Sequence, residues 1–145
     1  MSASGTYERD FYAWANRQAH LLRAGRLAEA DIEHIAEEIE SMGRSEKREL
    51  IARLGVLLTH LLKWRFQPAL RGNSWRLMIQ EQRRRLVRHL DDNPSLRFLL
   101  AEATADAYGD ALLAAQRETG LPEATFPPDC PFTTEQVFDT GYLPT

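Results

Sequence analysis

Residues 50–64 read LIARLGVLLTHLLKW, the most apolar stretch of the chain, and their spacing decides the fold. Leu50, Leu54, Leu57, Leu58, Leu61 and Leu62 recur three and four apart, and on a helix turning about 100° per residue they make one broad stripe. Ile51 and Trp64 widen the stripe, leaving Ala52, Thr59, Lys63 and Glu49 on a polar back. A helix this apolar needs neighbours over most of its surface, so it is expected at the centre of the core.

The length of 145 residues suits one domain whose core needs neither disulfides nor a structural metal. Charged residues make up 27% and hydrophobic ones 43%, which argues against a disordered or fibrous chain. Arg53, His60 and Lys63 interrupt even the central helix, so no run approaches the roughly 20 apolar residues of a membrane span. The opening residues, MSASGTYERD, hold neither a basic leader nor an apolar run, which predicts no secretory signal. Cys130 is the single cysteine, so no internal disulfide can form and a cytoplasmic setting is expected.

The net charge of −3 hides a segregation along the chain: −4 over residues 1–43, +9 over 44–90 and −8 over 91–145. A basic middle between acidic flanks fits a polyanion site, or flanking helices that neutralise the middle by packing on it. The second reading is preferred, because the chain carries its own counter-charge.

Periodicity divides the remainder into helices. Residues 1–5 are expected to be flexible, and a first helix is expected from Tyr7 to Ala24 with Thr6 as cap and Gly25 as stop, setting Tyr7, Phe11, Trp14, Gln18 and Leu21 on one face. A second lies within Ala28–Met42, with Ile32, Ile35, Ile39 and Met42 as its core stripe and an acidic remainder. Gly43 breaks or bends it before the central helix, about Glu46–Arg65, with Ser45 available as a cap. A fourth, residues 74–90, sets Trp75, Ile79, Gln82, Leu86 and Leu90 on one face, so that Gln82 needs partners, and Arg76, Arg83, Arg84, Arg85 and Arg88 on the outer face. Asn93 and Pro94 open a fifth that runs to Gly120 with an alanine-rich seam. Five of the seven prolines fall after Leu121, yet Phe126, Phe132, Val137, Phe138, Tyr142 and Leu143 recur regularly there. That segment is expected to wrap the bundle, with Thr133 and Gln136 boxing a short helix over 134–138. The fold class is therefore all-α: one domain over residues 6–145, a bundle of about five helices around the central apolar one, closed by an irregular proline-rich segment.

The words DFYAW (10–14), EEIESMGRSEKREL (37–50), HLLKWRFQP (60–68), SWR (74–76), EQRRR (81–85) and TGLPEATFPPDCPF (119–132) run in order through nearly the whole chain. In these the chain resembles the bacterial domain-of-unknown-function 29 family. The resemblance implies an all-α fold and carries over no catalytic or binding residue.

No GxSxG, P-loop, GxGxxG or zinc-type Cys/His cluster occurs, and Cys130 has no neighbouring base in sequence. No catalytic residue and no cofactor is therefore assigned. Asp31, His34 and Glu38 lie three and seven residues apart on one edge of the second helix, and His60 takes a similar edge on the central helix. Were those edges to face each other, two imidazoles and two carboxylates would converge as in carboxylate-rich bundles that hold a divalent transition metal. The competing reading gives them hydrogen bonds and ion pairs between helices. Arg76, Arg83, Arg84, Arg85 and Arg88 offer a polyanion or partner surface, with nucleic acid disfavoured by a sequence pI near 5.8. The leading functional expectation is a non-enzymatic interaction module that uses the charged faces of the second and fourth helices to dock a protein partner or a second copy, followed by a metal-binding bundle and then a polyanion binder, with no membrane association.

Overall fold

The computed structural model describes residues 3–145, with side chains from residue 5 onward, and is all-α: no strand occurs among the described residues. Among the described residues six helices run in order: α1 Ala3–Arg9, α2 Phe11–Arg23, α3 Ile32–Phe66, α4 Asn73–Asp92, α5 Leu100–Thr119 and α6 Thr134–Phe138. Short 3-10 turns occupy Leu27–Glu29, Pro68–Leu70, Pro94–Leu99 and Glu123–Thr125. Of the N-terminal stretch expected to be flexible, residues 1 and 2 lie outside the described residues and α1 begins at Ala3.

Three helix boundaries differ from the sequence expectation. The first helix is two, because Asp10 leaves helical geometry (φ −146°) and its carboxylate accepts the Ala13 N–H at 3.1 Å, capping α2 where Thr6 was expected to start a single helix. Helices two and three are one, since α3 runs through Gly43 without a break. A mid-helix glycine costs only about 1 kcal/mol against alanine, too little to stop a helix whose flanking Glu, Met and Arg all favour it. Pro94 opens a 3-10 turn, and α5 proper begins at Leu100, with Gly120 closing it in the left-handed region (φ 74°) as expected. Gly25 (φ 71°) ends α2 in a Schellman motif: the Arg26 N–H reaches the Leu21 carbonyl at 2.9 Å and the Gly25 N–H reaches Leu22 at 3.1 Å.

The chain packs as two compact units, one ending at Ser45 and the other Glu46–Thr145, with residues 32–45 of α3 in the first and 46–66 in the second. The second unit is built on the leucine stripe. Leu50, Leu54, Leu57, Leu58, Leu61 and Leu62 are all fully buried, joined by Ile79, Leu86 and Leu90 of α4. The alanine seam of α5 (Ala103, Ala107, Ala111, Ala115) is buried as well, and α5 comes so close that the Ala107 carbonyl stands 3.8 Å from where a side chain on Gly55 would begin. The polar back expected for the central helix is partly covered. Thr59 is buried and donates its hydroxyl to the Gly55 carbonyl (2.7 Å); Lys63 is buried with its ammonium 3.2 Å from Glu118 and 4.8 Å from the centre of the Trp75 ring.

The proline-rich segment packs on this unit through Phe126, Phe132 and Val137. Thr133 and Gln136 exchange both capping-box hydrogen bonds (3.0 and 3.1 Å), which fixes the start of α6. Tyr108 of α5 donates its hydroxyl to the Pro127 carbonyl at 2.5 Å, and burial raises that phenol to about 12. The strongest tie is Arg83. It is not on a solvated basic face: only 2% of it is exposed, and its guanidinium donates to the carbonyls of Val137 (2.8 Å), Tyr142 (2.8 Å) and Gln136 (3.0 Å). A planar fork of donors satisfies three carbonyls that the irregular segment cannot pair within itself.

Candidate functional site

In the first unit, the face that α3 turns toward α1 and α2 is polar. The Trp14 indole N–H donates to Asp31 at 3.0 Å, the His34 Nδ1 donates to the same carboxylate oxygen at 2.7 Å, and the Tyr7 hydroxyl donates to Glu38. The His34 ring stacks on Tyr7 with centroids 4.0 Å apart, and the Gln18 amide oxygen accepts the Asp31 N–H at 2.7 Å. Burial pushes the Asp31 carboxyl up, but the hydrogen bonds from His34 and Trp14 outweigh it and hold the group below its ordinary value. The hydrogen bond to Asp31 raises the His34 imidazole, and Glu38 raises the Tyr7 phenol to about 12. The structure thus gathers Asp31, His34 and Glu38 on one covered face, where aromatic side chains with polar tips engage them.

His60 is not among them. Helices two and three being one, there is no second helix edge to bring His60 opposite His34; its Nδ1 donates to the Val56 carbonyl at 2.8 Å. It lines a groove of about 580 Å³ between α3 and α5, with Val56, Leu113 and Arg117.

The consequence of the polar face shows on the stripe of α3 beside it. Ile32, Ile39 and Met42, expected in the core, are 53%, 59% and 61% exposed, with Ile35 partly covered. On a helical projection these four form one stripe, Ala36 and Gly43 lie beside it, and Glu33, Glu37 and Glu40, all exposed, make an acidic rail along one border.

The basic surface of α4 is smaller than its sequence suggests. With Arg83 turned inward, Arg84, Arg85 and Arg88 remain exposed, Arg85 pairs with Glu81 at 2.8 Å, and Arg76 hydrogen-bonds Asn73. Neutralisation comes partly from within helices, as in Arg53–Glu49 and Arg44–Glu40, and partly from α5, through Lys47–Glu102 (3.1 Å) and Lys63–Glu118. Buried Gln82, expected to need partners, has the Met78 sulfur at 4.0 Å for its amide nitrogen, and its oxygen has no partner among the described residues. Cys130 is half-buried, which raises its thiol and removes thiolate character.

One cluster escaped the sequence reading altogether. His89 of α4 is 7% exposed; its Nε2 lies 2.8 Å from the Glu46 carbonyl, and its Nδ1 lies 3.6 Å from both Glu46 Oε2 and Glu49 Oε2 on α3. One ligand atom from each of these three residues falls within 4.8 Å of the others. The spacing of Glu46 and Glu49 was a visible signal, but the register of α4 that brings His89 to them is set by packing.

No helix among the described residues is long and apolar enough to cross a membrane. No curated protein and no solved structure matches the chain. The family described as "Domain of unknown function DUF29" matches residues 6–143, nearly the whole all-α chain including both units, and the protein belongs to that family.

Proposed function

We propose that the protein is a non-enzymatic, cytoplasmic interaction module whose docking surface is the outward stripe of α3 and whose partner presents a basic amphipathic helix. The observation that carries this reading is the inverted face of α3: an apolar row, Ile32, Ile35, Ile39 and Met42, turned to water while the polar row is covered. Exposed apolar rows of this kind, bordered by charge, mark protein contacts. The spacing of three and four is that of a helix-in-groove or helix-pairing contact. The rail of Glu33, Glu37 and Glu40 selects the partner's sign. Two copies pairing through this stripe bring like rails into one interface, whereas Lys and Arg beside an apolar stripe complement it.

A photo-reactive residue placed at Ile39, with a control at exposed Leu113, tests the reading in cells. The expected product is a crosslink from position 39 to another polypeptide, through a segment rich in Lys, Arg and apolar residues, that disappears with Glu37→Lys and Glu40→Lys together. Crosslinks only to a second copy of the chain, or none above the control, overturn it.

A further inference from the structure

We propose that Glu46, Glu49 and His89 form a binding site for a divalent first-row transition cation at the contact of α3 with α4. The inference is independent of the docking surface, which uses other residues.

The tautomer of His89 carries the first step. A carbonyl oxygen only accepts, so the 2.8 Å contact of Nε2 with the Glu46 carbonyl requires the proton on Nε2. In the neutral ring Nδ1 is then a lone pair, and it is aimed between two carboxylate oxygens 3.6 Å away, both acceptors themselves. Three acceptors converge on a ring more than nine-tenths buried, with a single long hydrogen bond from the Asn93 amide to Glu46 Oε2 (3.4 Å) as the donor among them. Such a set is completed by a positive centre. This is also the arrangement in which protein imidazoles usually bind metal: one ring nitrogen donates to a backbone carbonyl, which fixes the ring, and the other faces the ion.

The distances fit a cation. Tetrahedral zinc with N and O ligands at about 2.0–2.2 Å places its ligand atoms about 3.4 Å apart. Two of the three separations here are 3.6 Å, and all three ligand atoms lie within 4.8 Å of one another, a gap that a small rotation of a half-exposed glutamate closes. The surroundings leave the right atoms available. Arg53 holds the other oxygen of Glu49, Oε1, at 2.9 Å, turning Oε2 toward the imidazole. Asn93 donates to the His89 carbonyl at 3.1 Å and, at a long 3.4 Å, to Glu46 Oε2 itself, a contact that a bound cation would displace. Glu46 and Glu49 are 46% and 42% exposed, so a fourth position opens to water.

A proton on Nδ1 would satisfy the same three atoms, and cation and proton compete for one lone pair. Titration of the metal-free protein with Zn²⁺ by calorimetry, and with Co²⁺ by its visible absorption, separates the two. One saturable equivalent and the intense bands of low-coordinate cobalt are expected. Because His89 is buried and its replacement risks the fold, the test rests on Glu46→Gln and Glu49→Gln at half-exposed positions, with helicity checked by circular dichroism. Each is expected to weaken binding at least tenfold, while Asp31→Asn, in the first unit, leaves it unchanged. Absence of a saturable equivalent, binding indifferent to both glutamine variants, or binding lost with Asp31→Asn overturns the assignment.

Discussion

The two stretches of α3 obey opposite rules. Over residues 46–66 the apolar stripe is buried, and even Thr59 and Lys63 on the back are covered; over residues 32–45 the apolar row faces water and Asp31, just before the helix, His34 and Glu38 face the neighbouring helices. Both stretches show the same helical period. What differs is the chemistry of what packs on them. The second unit offers α3 alanines, leucines and isoleucine, so burying the leucine row is the route that removes most apolar surface. The first unit offers Tyr7 and Trp14, bulky side chains ending in hydrogen-bonding atoms, and these find their acceptors in Glu38 and Asp31 of the polar row. Period alone therefore locates two faces of a helix without saying which one is covered.

The contrast can be broken most severely in the second unit. Arg83→Ala strips three carbonyls of their donors and is expected to cost about 4 kcal/mol, at roughly 1–3 kcal/mol per buried unsatisfied group. Urea unfolding measures it, and faster amide exchange over residues 133–143 is expected to accompany it. Arg83→Lys should recover only part, because one ammonium cannot reach all three carbonyls. A loss below about 1 kcal/mol would mean that the C-terminal segment is held by its apolar contacts alone.

A sharper comparison uses one helix and two similar deletions. Leu58→Ala should cost about 3 kcal/mol, as for a fully buried leucine, while Ile39→Ala should stay within about 0.5 kcal/mol, because its side chain is already in water. Equal losses would show that the Ile39 row is covered in the free protein. Gly43→Ala bears on the continuity of α3. The position is helical with nothing near a new methyl group, so a gain of up to about 1 kcal/mol in thermal unfolding is expected. A loss would mark Gly43 as a hinge.

The smallest effect is a pH dependence confined to the first unit. His34 titrates higher in the fold than in the unfolded chain, so its contribution is complete below about pH 6.5 and fades as pH rises through the folded value. Asp31 titrates lower in the fold, so its contribution holds above about pH 3.9 and is lost as pH falls through the folded value. Between those limits the Trp14–Asp31–His34 cluster is tightest. Hydrogen exchange of the Trp14 indole N–H should quicken beyond base catalysis as His34 deprotonates, and a profile that tracks a free indole from pH 5 to 9 would break the pairing.

Much of this architecture was legible in the residues. The leucine spacing over 50–62, the stop at Gly120, the alanine seam and the Thr133–Gln136 box are local patterns with one low-energy outcome each. The sequence does not announce the split at Asp10 and leaves Gly43 open between a break and a bend, because the competing choices differ by only about 1 kcal/mol, within reach of any neighbour. The Glu46–Glu49–His89 cluster joins residues about forty positions apart, and the inward turn of Arg83 answers carbonyls more than fifty positions away. Neither leaves a mark in the spacing of its own helix.

The sequence by itself determined that this chain is helical, where its apolar spine lies and how its last helix begins, because those follow from backbone propensities and from side chains a few residues apart. Only the tertiary structure decided which row of α3 meets water, which arginine of five is buried and which histidine meets two glutamates. Those choices depend on the polar atoms that distant helices bring, and a buried donor or acceptor must find its partner wherever the packing places one.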